Sequence, residues 1–222
     1  MFSKLITTLA TVALSIGVTA GIASLALAEG TEGAQGDLAR GAELFALCSQ
    51  CHGANGGGDQ VTLAPAIAGL PEWYVDAQLV KFKSGLRGLN AHDTGGLRMY
   101  PMSQWLRTEA DQKAVAAYVA SLPPVDPTPI PEFVGNATAG QGYYAVCSAC
   151  HGPNGKGNQA MGAPPLVGLN DWYLYSAIQK FKAGIRGSIP GDTLGPVMMG
   201  MVATLPTDDA IRDVIAHIQA LE

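Results

Sequence analysis

The chain has 222 residues, enough for one large domain or two small ones, with 14% charged residues and a formal net charge of −5. Its Lys and Arg residues are scattered along the sequence, which excludes the clustered basic footprint of a nucleic-acid-binding protein. In chain order, the first distinct segment is an uncharged run from Leu5 to Ala28, preceded by Lys4, ending in Ala26-Leu27-Ala28 and followed by Glu29. This reads as a secretory leader cleaved after Ala28. At 24 residues the run is also long enough to span a bilayer. Residues 1–28 are therefore expected to be a signal peptide or an N-terminal anchor, the latter giving membrane association through residues 5–28. Both readings export the rest of the chain.

Beyond the leader the pattern is helical. Asp37 is placed to cap a helix running to Cys48, with Leu44 and Leu47-Cys48 on one face. Trp73, Ala77 and Val80 share a face of a second helix, which Gly85 is placed to stop. Met99-Tyr-Pro-Met102 reads as a loop before the last helix. Thr108-Glu-Ala-Asp111 opens that helix as a capping box with Asp in place of Glu, and Val115, Tyr118-Val119 and Leu122 point inward. No stretch alternates convincingly as a strand, so the expected class is all-α.

From Pro123 to Pro131 the chain reads PPVDPTPIP, a composition that favours extended polyproline conformation and a semi-rigid spacer. The pattern then begins again. Offset by 99 positions, residues 37–122 fall on 136–221 without a gap, and 33 of the 86 pairs are identical. That period is too long for a solenoid repeat and marks a duplicated domain. The expected units are 37–123 and 137–222, joined by a Pro-rich linker over 124–136. Each is small enough that an apolar core alone would be marginal, so something else should help hold it together.

The four cysteines all lie in two repeated units, Cys48-Ser-Gln-Cys51-His52 and Cys147-Ser-Ala-Cys150-His151. Disulfides within each pair would close tiny loops and stabilise little. A zinc site would need the two units to converge across the linker. A redox C-x-x-C would lie near a βαβ pattern, which is absent. C-x-x-C-H is the signature of covalent haem c attachment, with each cysteine forming a thioether and the histidine meeting the iron. Two haem c groups would also give each unit the large apolar body its core lacks. Of the other candidate ligands, His92 and His217 do not repeat between the copies, whereas Met99 and Met102 recur as Met198 and Met201. His/Met coordination suits electron transfer.

These motifs, with Pro65-Ala-Ile-Ala-Gly69 (Pro164-Pro-Leu-Val-Gly168), the aromatic-led helix ending Lys-Phe-Lys-x-Gly and the M-x-x-M unit, resemble the tandem dihaem cytochromes c of the cytochrome c4 family. The resemblance implies two cytochrome c-like domains, each wrapping one haem and packed face to face. Its ligand sets would be His52/Met99 and His151/Met198, with Met102, Met201 and Met199 as competitors. Pro65 and Pro164 would accept hydrogen bonds from the proximal histidines. Arg87 and Arg186 would either pair with haem propionates or be solvated charges at helix ends. The implied protein is a non-enzymatic electron carrier in the periplasm, free or tethered to the inner membrane. Its donor would be a quinol-oxidising complex or dehydrogenase, and its acceptor a terminal oxidase. The alternatives are a cytochrome subunit of a larger membrane respiratory complex, or one of a periplasmic dehydrogenase.

Overall fold

In the computed structural model residues 22–221 are described, with side chains from Asp37 onward. The expected leader or anchor over 1–28 lies outside the described residues up to position 21. Eight helices follow in order: α1 (Ile22–His52), α2 (Glu72–Lys83), α3 (Thr94–Trp105), α4 (Glu109–Ser121), α5 (Ala137–His151), α6 (Asp171–Lys182), α7 (Gly195–Val202) and α8 (Asp208–Gln219). Single 3-10 turns occupy Pro131–Phe133 and Gln159–Met161. Among the described residues there is no strand, only isolated bridges at Asp59–Ala64 and Asn158–Ala163, one per copy at matching positions. The chain is all-α, as its patterning implies. No described helix is long and apolar enough to cross a membrane.

Local chemistry sets most helix starts. Thr108 accepts from the Asp111 N–H at 3.0 Å and Thr207 from the Ala210 N–H at 3.1 Å, each satisfying one of the free donors of a first turn. Asn136 accepts from Thr138 and Ala139 at the head of α5. Its counterpart Asp37 does not play that part, because α1 runs through it from Ile22. The two copies differ upstream. In copy two the Asn136 N–H donates to the Asp213 carboxylate on α8 at 2.7 Å, so the chain enters α5 from a tertiary contact, whereas in copy one α1 is continuous through Asp37.

The first and last helices of each copy cross closely enough that only glycine fits. A Cβ at Gly41 would run into the Ala114 carbonyl on α4, and one at Gly140 into the Asp213 carbonyl on α8. Around the first crossing pack Leu44, Phe45, Leu79, Leu106, Val115 and Val119, and around the second Tyr144, Leu174, Leu205, Ile211, Val214, Ile215 and Ile218. Phe45 lies against Tyr118 with ring centroids 5.3 Å apart, and Tyr144 against His217 at 5.2 Å. His217 is therefore a ring in the wall of copy two. Ile67 and Val75 touch both clusters and join the two cores.

One expectation is corrected here. The Met99–Met102 and Met198–Met201 segments are helical, forming α3 and α7, where loops were expected. Asp93 supplies the reason in copy one by accepting from the Gly96 N–H at 2.9 Å, and Asp192 does the same for Gly195. On α2 the buried residues are Leu79 and Phe82, while Val80 is 46% exposed. The linker is laid against copy two. The Ile130 N–H donates to the buried Asp171 carboxylate at 2.6 Å, and Phe133 packs on Tyr175 with centroids 5.1 Å apart.

Candidate functional site

Both C-x-x-C-H units sit at the C-terminal end of a helix, α1 or α5, so each histidine is the last helical residue. His52 and His151 are 9% and 7% exposed. Each Nδ1 lies 2.8 Å from a carbonyl oxygen, of Pro65 and Pro164 respectively. A carbonyl can only accept, so Nδ1 carries the proton and Nε2 keeps its lone pair free for a metal. Burial lowers both histidine pKa values and favours that neutral form. Gly53 and Gly152 follow with φ of 78° and 81°, a left-handed turn that ends the helix and returns the chain under the ring.

The cysteines form no disulfide. Burial pushes the Cys48 thiol up to about 11 and raises that of Cys147. An apolar setting of that kind disfavours a thiolate and suits a thioether. Among the described residues no group of three or more His, Cys, Asp or Glu converges to hold a metal ion, so the zinc reading finds no site.

In copy two both cysteines, His151, Met198 and Met201 line one apolar cleft of about 210 Å³, closed below by Leu174, Ile178 and Val214. Met198 also packs on the core of copy two and Met99 on that of copy one beside Cys48, while Met201 and Met102 are 37% and 41% exposed. Met199 does not line the cleft. His92 is exposed in a turn capped by Asn90.

The mouth of the same cleft is formed by copy one, through Trp73, Tyr74, Ala77, Gln78, Lys81 and Arg87. Here the structure brings together residues scattered through the sequence. Arg87 donates to Gln78 Oε1 at 2.8 Å and to the Tyr173 hydroxyl at 3.3 Å; Arg186 donates to the same two oxygens at 3.2 and 3.4 Å. Each guanidinium also lies over a phenylalanine of its own copy, Phe82 or Phe181. The solvated-charge reading of the arginines is thus replaced by an interior one. The flanks are held by two ion pairs that the sequence reading did not include, Lys81–Asp192 and Lys180–Asp93, both 2.7 Å. A signal was present, since Lys81/Lys180 and Asp93/Asp192 are identical pairs of the repeat.

Among the described residues no carboxylate hydrogen-bonds to either arginine, and Arg87 Nε is buried without a partner. Burial opposes ionisation of Tyr173, but the two guanidiniums outweigh it and bring its phenol down to about 7. Such a site has a surplus of positive charge and an orphaned donor. A haem fits both halves of the description: an apolar macrocycle for the cleft, and carboxylates for the guanidiniums at its mouth.

The comparisons with known proteins agree. The family model for cytochrome c matches residues 38–123 and again 137–222. The chain is 30% identical to cytochrome c4 of Azotobacter vinelandii over 96% of its own length and 98% of the relative's. It is 32% identical to a thiosulfate dehydrogenase electron acceptor of Stutzerimonas stutzeri, covering 89% of this chain and 91% of that one. The crystal structure of reduced cytochrome c4 from Pseudomonas stutzeri superposes with a TM-score of 0.66 at 29% identity, covering 82% of this chain and 97% of the other. The fold and the paired motifs define a tandem cytochrome c with two haem c groups, attached through Cys48/Cys51 and Cys147/Cys150. The chain belongs to the cytochrome c family and, within it, to the dihaem cytochrome c4 group.

Proposed function

We propose that the protein is a one-electron carrier without catalytic activity, taking electrons from a dehydrogenase or quinol-oxidising complex and passing them to a terminal oxidase. In this reading units 37–123 and 137–222, joined by linker 124–136, each hold one iron between a histidine and a methionine. The observation that carries it is the convergence of Cys147, Cys150, His151 and Met198 on one cleft, with matching residues at Cys48, Cys51, His52 and Met99. Bound haem supplies the ferric–ferrous couple.

The chain's own residues do the rest. The thioethers fix the macrocycle. His52 and His151 present Nε2, oriented by the proline carbonyls behind them. Met99 and Met198 would supply the second ligand, which would leave no position for a substrate and would raise the potential relative to harder ligands. Arg87 and Arg186 would hold carboxylates of the bound group at the interface of the copies.

The likeness to a thiosulfate dehydrogenase electron acceptor supports a dehydrogenase as donor. Export to the periplasm, by a leader cleaved after Ala28 or as a protein tethered through residues 5–28, completes the proposal; intact mass of the mature chain distinguishes the two forms. To test the carrier role, the reduced holoprotein is mixed with membranes containing a terminal oxidase. Loss of two electrons per chain, with no consumption of peroxide or thiosulfate by the protein alone, is expected. Sustained turnover of either substrate by the isolated protein would overturn it.

A further inference from the structure

Each methionine-bearing helix is tied at both ends by a lysine, and the two lysines come from different copies. At the C-terminal end the tie is internal: Lys83 Nζ donates to the Leu106 carbonyl at 2.6 Å just beyond α3, and Lys182 Nζ to the Leu205 carbonyl beyond α7. At the N-terminal end the tie crosses over. Asp93 Oδ1 accepts from the Gly96 N–H in the first turn of α3, and the same oxygen lies 2.7 Å from Lys180 Nζ on α6 of copy two. Asp192 Oδ1 accepts from the Gly195 N–H at the head of α7 and lies 2.7 Å from Lys81 Nζ on α2 of copy one. The arrangement is reciprocal, as a two-fold interface requires.

Both carboxylates are buried. They are 2% and 7% exposed. A Cβ at Gly96 would strike the Asp93 carboxylate, and one at Gly88 would lie 2.6 Å from the Gly96 carbonyl oxygen. Gly96 is thus packed between the Asp93 carboxylate and Gly88. A buried carboxylate that loses its cation is left uncompensated, and it must take up a proton or move out to water. Either change removes the charged acceptor from the first turn of the helix that carries the sulfur.

We propose that Lys180 and Lys81 are positioning residues acting across the interface: Lys180, through Asp93, sets the helix that presents Met99, and Lys81, through Asp192, sets the helix that presents Met198. The sulfur ligand of each haem is thereby held in part by the other copy. The inference rests on the reading of Met99 and Met198 as iron ligands.

The test uses the full holoprotein and the sulfur-to-iron charge-transfer band of the oxidised form. In a Met198→Ala background the band reports site one alone, and its loss with rising pH measures how firmly Met99 is held. If the Met198→Ala/Met99→Ala double variant retains the band, the ligand assignment itself fails. With the assignment intact, Lys180→Gln is expected to raise the population of the sulfur-dissociated form of site one about tenfold, moving the midpoint down by about one pH unit. Lys180→Arg should restore it. Lys81→Gln should leave site one unchanged and instead weaken site two, read in a Met99→Ala background. Asp93→Asn should match Lys180→Gln, and the two together should do no more than either alone. A merely nearby charge would shift the potential without moving the midpoint. An unmoved midpoint, an effect on the lysine's own copy, or equal effects of both lysines on both sites would each overturn the proposal.

Discussion

Copy two walls its cleft with Met161, Leu194 and Val197, where copy one has Thr62, Gly95 and Arg98 at the matching positions. Arg98 is exposed and donates to the Thr62 carbonyl at 2.9 Å. Deeper in, the copies coincide: the same C-x-x-C-H, the same proline carbonyl behind the histidine, the same arginine over a phenylalanine, and the same lysine–aspartate tie. Attachment and the joining of the copies are thus common to both halves, while the rim is particular to each. The two proposed iron sites therefore differ at the rim, with an exposed cation, Arg98, in copy one where copy two has Val197 in its apolar wall.

The largest expected effect comes from removing what the copies share. Replacing Cys48 and Cys51 together by serine should leave one haem by mass and a first copy without its helical circular dichroism, while the second copy stays intact. A fully helical protein with a single haem would mean that the first core stands without its haem. Next come the helix crossings. Gly41→Val or Gly140→Val forces a side chain into a facing backbone carbonyl and should cost about 3 kcal/mol or more, seen as a lowered denaturation midpoint of the altered copy.

A smaller effect follows from pH. Burial opposes ionisation of Asp93 and Asp192, yet the facing lysines and the helix N–H groups hold both pKa values below the ordinary carboxylate range. A depressed value stabilises the folded form above the unfolded pKa of about 3.9 and ceases to do so as the pH falls through the folded value. Stability from this source should be flat between pH 7 and 5 and fall below about pH 4. Asp93→Asn should flatten part of that fall in acid denaturation curves.

The smallest effect sharpens the comparison at the rim. Arg98→Val gives copy one the residue of copy two and removes a positive charge that favours the less positive ferrous state. The potential of site one should drop, more at low ionic strength than at high, in a spectroelectrochemical titration. A shift in site two instead would place Arg98 in the wrong field.

What was legible in the sequence was local or repeated. The Cys and His positions carry a covalent motif, Thr108 stands three residues before its donor, and the Val115/Val119 stripe needs only helical spacing. The methionine segments were read as loops, because the caps that stabilise their helices, Asp93 and Asp192, take their counter-charges from the opposite copy. Asp37 failed as a cap for a related reason. At the matching position Asn136 the backbone N–H donates to Asp213 of α8 at 2.7 Å, a contact between residues far apart in the chain that the local sequence does not display. The arginines were visible as a repeated pair, but their burial against Gln78 and Tyr173 exists only once the two copies meet.

In the proposed carrier both irons are closed between a histidine and a methionine. Absorption spectra of the purified protein, oxidised, reduced, and reduced under carbon monoxide, test it most directly. Two c-type haems per chain, a sulfur-to-iron charge-transfer band and no change on adding carbon monoxide are the expected results. A carbon monoxide complex at either haem would reveal an open iron and contradict the carrier account.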